Sequence, residues 1–222
     1  QWSWPVPEAL LNMGGLLRLN GDIFFRSLML QLCFSFMTFY GARIGDTVLA
    51  ANAVLMNFLL LISFAMDGIA YAAEAKVGQA RGAKKAHDVH MWVTISVQWG
   101  AVFALVYALF FFIAGEQVIR LLTDVPNVNY LAVAYLPWLI AMPLLAMACF
   151  IFDGVFVGLM RGKDMRNTMV ISAAFGFFGV FLMTQSWGNH ALWLAMSSFM
   201  LMRGVTLAVR YRQLLKARQL LL

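Results

Sequence analysis

The stretch Val48–Lys76, VLAANAVLMNFLLLISFAMDGIAYAAEAK, decides the fold. It is long and apolar enough to cross a bilayer, which takes about 20 residues of helix. It nevertheless carries two carboxylates, Asp67 and Glu74. Their i,i+7 spacing puts them on nearly one face of a helix with about 3.6 residues per turn. A charged side chain at that depth costs about 2.5–3.5 kcal/mol on insertion scales, so it must face protein or a wet cavity. This helix is the first place to look for function, with the others packed around it.

The rest of the chain has the same character. Of its 222 residues, 63% are hydrophobic and 12% charged, with a mean hydropathy of +0.80. Soluble domains carry about 25% charged residues, so this is an all-α integral membrane protein. The net charge of +6 does not point to nucleic acid, because most basic residues sit at the ends of apolar segments, where topology explains them. Cys33 and Cys149 lie inside apolar runs and read as small core residues. The chain begins at Gln1, so it is expected to be a piece of a longer protein.

Six spans are predicted, at roughly 20–43, 48–78, 91–114, 131–160, 168–184 and 191–209. Residues 1–17, with Trp2, Trp4, Pro5 and Pro7, read as a connecting or interfacial segment. Residues 18–210 form the six-helix membrane lobe, and 211–222 a basic tail. Gly45-Asp46-Thr47 reads as a tight turn with a helix N-cap. Glu116–Tyr130, which contains Pro126, reads as a short interfacial helix and loop. Pro137 and Pro143 fall inside the fourth span and favour a kink there.

The charges orient these spans. Lys76, Arg81, Lys84 and Lys85 gather at the loop after span two; Arg161, Lys163 and Arg166 follow span four. Arg203, Arg210, Arg212, Lys216 and Arg218 stand at or after the end of span six. The opposite side holds Arg43 and Arg120. Alternate loops therefore carry the Lys/Arg excess, which places both ends of the segment in the cytoplasm.

Embedded polar residues are the candidates for function. At about 1.5 Å rise per residue, Asp67 lies about 13 Å from Lys76 and Asp153 about 12 Å from Arg161. Arg26 lies one to two turns inside the first span, so all three share one layer of the inner half of the bilayer. An intramembrane arginine needs a carboxylate or carbonyls around it. The expected partner of Arg26 is Asp67 on the next helix or Asp22 one turn away, in a pair that protonation breaks or that simply fixes packing. Asp153, with no basic residue near it on its own helix, is the strongest candidate for a titrating acid. Glu74 reads as solvated or lining the cavity mouth. Gln31, Asn52, Asn57 and Gln98 read mainly as interhelical hydrogen-bonding groups.

No cofactor or metal site is expected. His87 and His90 form an H-x-x-H in a basic loop without a third ligand. Walker, G-x-S-x-G, H-E-x-x-H and C-x-x-C motifs are absent from the sequence, which disfavours an enzyme or an ATP-driven pump in this segment. Energy would then come from an ion gradient through embedded carboxylates.

Three ordered stretches, GARIGDTVLAANAV (41–54), VGQARGAKKA (77–86) and DGVFVGLMRGKDMRNTM (153–169), resemble the second half of a multidrug and toxic compound extrusion (MATE) transporter. The resemblance covers nearly the whole chain from Arg18 onward. It implies a lobe of six helices that faces an N-terminal six-helix lobe across a cavity opening alternately to each side. It implies a bacterial inner-membrane antiporter, exchanging H⁺ or Na⁺ for amphipathic, often cationic compounds. The family's acid on the lobe's fourth helix matches Asp153. Sodium-coupled relatives carry a carboxylate midway along the lobe's first helix; here that region reads LMLQLCFSF, with Gln31 and no acid, which favours protons. Asp67 and Glu74 lie outside the general family pattern. The alternative function is a flippase for lipid-linked precursors, which would want a more basic cavity.

Overall fold

The structure, a computed structural model, describes residues 13–220. Most of the predicted connecting segment 1–17 therefore lies outside the described residues. The chain is helical in the order α1 (Met13–Ile44), α2 (Asp46–Gly82), α3 (Ala86–Leu122), α4 (Pro126–Gly158), α5 (Gly162–Ile171), a π-helical segment (Ser172–Gly179), α6 (Val180–Thr184), a 3₁₀ turn (Gln185–Trp187) and α7 (Asn189–Lys216). These make six spans long and apolar enough to cross a membrane, the fifth running from Gly162 to Trp187.

Each span is longer than its apolar run because the helices continue into the polar flanks. The segment read as a separate interfacial helix at 116–130 is not one. α3 runs through it to Leu122, and Pro126 opens α4 at its first turn, where a missing N–H costs nothing. The turn before α2 is likewise tighter than expected. Gly45 alone breaks the helix, at φ 156°, and no side chain caps it. Asp46 already lies in the first turn, where its charge complements the helix dipole. The last helix passes the boundary placed at residue 210 and ends at Lys216, with Tyr211 and Leu214 buried.

α4 is the centre of the lobe, contacting α2, α3 and α7 extensively. It remains helical through Pro137 and Pro143. Its junction with α2 is made by small residues. Gly154 sits against Ala70 so closely that an added Cβ would collide with the Ala70 carbonyl oxygen. At Gly158 a Cβ would lie 2.6 Å from the Glu74 carbonyl oxygen. Gly154-Val-Phe-Val-Gly158 is thus a G-x-x-x-G face that lets two membrane helices touch backbone to backbone. α1 is the outlier: it leans on α5 and α2 and is the least buried span. Phe112, Phe175 and Met183 project outward, as suits a surface solvated by lipid.

A charged cluster and cavity in the lobe

The α2–α4 contact determines what faces what. Asp153 precedes Gly154, so it is delivered beside Ala70, with Asp67 one turn before that residue and Glu74 one turn after. All three carboxylates line a cavity of about 290 Å³ together with Tyr71, Arg26 and Arg203. Arg26, Asp67 and Asp153, expected in one layer from helical rise, line this one cavity, and Glu74 joins them there.

The pairing within it differs from the expectation. Arg26 bonds neither Asp67 nor Asp22; its Nη1 donates to Asp153 Oδ2 at 2.5 Å. Arg203 Nη2 donates to the same oxygen at 2.6 Å. Asp22 is instead taken by Arg166, Nη1 to Oδ1 at 2.7 Å. Helical spacing gives a residue's depth but not the azimuth of its helix in the bundle, and Asp153 is the acid at that depth on the side Arg26 faces. Asp67 and Glu74 are half-buried and make no ion pair or hydrogen bond among the described residues.

Arg203 is the residue the sequence reading misplaced. Expected among the charges that end span six, it is 3% exposed in the middle of α7. The signal was present: it stands inside the apolar run predicted for that span, followed by Gly204. Gly204 brings α7 onto α4, where a Cβ would lie 2.8 Å from Ala148 Cβ and 3.0 Å from Cys149 N. That approach sets Arg203 against Asp153.

The other polar candidates separate into two kinds. Asn52 is buried and exchanges side-chain amide bonds with Asn189 at 2.7 and 2.9 Å, while Trp193 Nε1 donates to Asn52 Oδ1 at 2.9 Å. Asn57 is exposed and its amide donates to Ala53 O within its own helix. Gln31 and Gln98 are exposed and bond no other helix among the described residues. The loop arginines do more than mark topology. Asp164 accepts from Arg161 Nη1 at 3.2 Å and Arg210 Nε at 2.9 Å, fastening the start of α5 to the end of α7. His87 and His90 are both exposed, and His90 Nδ1 meets the Tyr211 hydroxyl at 3.1 Å.

Six apolar helices around an embedded charged cluster and a cavity define a multi-pass membrane bundle with a polar site at its wall. Residues 23–182 match the model of the MatE family, and the chain belongs to that family. It is 44% identical over 204 residues to the DNA damage-inducible protein F of Escherichia coli, covering 91% of this chain and 44% of that protein. It is 28% identical over 144 residues to a probable multidrug resistance protein NorM of Pseudomonas syringae, covering 62% of this chain and 30% of the relative. Its fold matches the bent form of the Vibrio cholerae MATE transporter VcmN with a TM-score of 0.82 at 18% identity, over all of this chain and 51% of that one. The chain thus spans about half or less of the length of these proteins.

Proposed function

We propose that this chain is the C-terminal lobe of a proton-coupled antiporter that exports amphipathic, often cationic compounds by alternating access. An N-terminal six-helix lobe of the same protein would supply the facing wall. The observation that carries the reading is Asp153, a carboxylate held within the membrane-spanning bundle at the wall of a cavity it shares with Asp67 and Glu74. Buried acids that can change charge state are the common means of drawing on an ion gradient. Three carboxylates against two guanidiniums give the cavity an acidic surplus, which suits cations better than the anionic head of a lipid-linked precursor. The first helix presents the neutral Gln31 where an acid would favour sodium, which supports the proton. The similarity to a bacterial relative supports an inner-membrane location, and the Lys/Arg distribution supports both ends of this segment facing the cytoplasm.

The test is efflux of a fluorescent cation from proteoliposomes holding the full-length protein under an imposed pH gradient. Wild type should transport, and Asp153→Asn should lose pH-driven efflux while drug binding stays measurable. Wild-type efflux with unchanged pH dependence in both Asp153→Asn and Asp67→Asn would assign the coupling proton to the other lobe.

A further inference from the structure

The two arginines on Asp153 are held in unlike ways. Arg203 is locked: it is 3% exposed, its Nη1 donates to Met200 Sδ at 3.4 Å, and its guanidinium lies 5.3 Å from the centre of the Phe199 ring. The backbone contact at Gly204 fixes α7 against α4 beside it. Arg26 is 20% exposed, lines the cavity, and has an Nε with no hydrogen bond among the described residues. Its helix rests on α5 and α2 more than on α4, and the Arg26–Asp153 pair is a polar tie between α1 and the central helix.

One guanidinium is enough to neutralise Asp153, and Arg203, almost fully enclosed at the cavity wall, supplies it. Arg26 is the surplus cation and the more open of the two, so a diffusible cation would compete with it first. Two other acceptors, Asp67 and Glu74, line the same cavity without ion-pair partners among the described residues. With every acid ionised the cluster carries one net negative charge, and without Arg26 it would carry two.

We propose that Arg26 is a tethered cation. It fills the cation position at Asp153, keeps free Na⁺ out of this lobe, and vacates that position by passing to Asp67 or Glu74. Its transport significance rests on the ion-coupled reading above; the occupancy itself does not require transport. Arg26 is then a selectivity residue that adds to the neutral Gln31 in keeping Na⁺ from this lobe.

The experiment measures thermal stability of the full-length protein in detergent, in NaCl and in choline chloride of equal ionic strength. In wild type the two salts should give the same Tm. Arg26→Gln should gain a Na⁺-dependent rise of about 3 °C or more at saturation. Arg26→Gln/Asp153→Asn should lose that rise. Arg26→Met, which keeps the stem's bulk, is the second variant if the glutamine protein does not fold, and should behave alike. A wild-type response to Na⁺ that Asp153→Asn removes, or no Na⁺ response in the Arg26 variants, overturns the proposal. Failure of pH-driven efflux in wild type would instead sink the coupling reading and leave this one standing.

Discussion

Arg203, Asp153 and Arg26 form a triad in which removing Asp153 strands both arginines, while removing either arginine breaks one of the two ion pairs on Asp153. Breaking a buried ion pair by deleting one side costs about 3–5 kcal/mol. Arg203→Gln should fall at the upper end of that range, because the residue is almost fully enclosed. Arg26→Gln should cost less, because Arg26 is partly open to the cavity and Asp153 keeps Arg203. Asp153→Asn/Arg203→Gln should recover part of the loss of either single change, read as Tm in detergent. Equal losses for both arginines would contradict the division into a fixed and an exchangeable counterion. The three acids and Arg26 were legible in the sequence, since a charge inside an apolar run is conspicuous. Their partners were not, because the Arg26–Asp153 pair joins residues 127 apart in the chain, and only the helix arrangement decides which acid the arginine faces. Arg203 was hidden by its company, one basic residue before a run of others whose role is topological.

At the scale of the helix, the spans themselves were readable because hydrophobic length is a strong signal. Their ends were not, because these helices run on into polar flanks, as α3 does through Glu116 and Arg120 to Leu122. The glycine face of α4 is the element that makes the site. Gly158→Val would drive a branched side chain into the Glu74 carbonyl, 2.6 Å from the position of its Cβ. Backbone cannot yield as a flexible side chain can, so destabilisation of at least about 1–3 kcal/mol is expected. The displaced α2 should also carry Asp67 and Glu74 away from Asp153, and pH-driven efflux should fall further than the loss of folded protein explains. An unchanged Tm and efflux would refute the close contact. Toward the other end of α2, Asn52→Leu should orphan the Asn189 amide and the Trp193 N–H in a buried setting, at about 1–3 kcal/mol. Here the loss should be in stability alone, since this network lies apart from the cavity that holds the acids.

The whole molecule turns on which surfaces the lobe leaves uncovered. Tyr71 lines the acidic cavity yet is 67% exposed, so the cavity opens at the lobe's surface and is not enclosed within it. Phe24, Leu28 and Leu32 on the lightly buried α1, and Phe64 on α2, are exposed as well. A transporter that alternates access needs a second wall to close over such an opening, and two lobes rocking about a site at their interface is how many secondary carriers meet that need. The lobe reconstituted as a monomer should therefore give no pH-driven efflux of a fluorescent cation, while co-expression with the N-terminal half of the full-length protein should restore it. Cysteine labelling at Lys84 and Trp187, on opposite ends of the helices, checks that the lobe alone is inserted correctly: the two positions should react from opposite sides of the membrane. With insertion verified, silence from the lobe alone reports a missing wall rather than a misfolded protein. Efflux by a verified monomer would mean that the cavity bounded by Asp67, Asp153 and Glu74 is a complete pathway, and the two-lobe reading would fall.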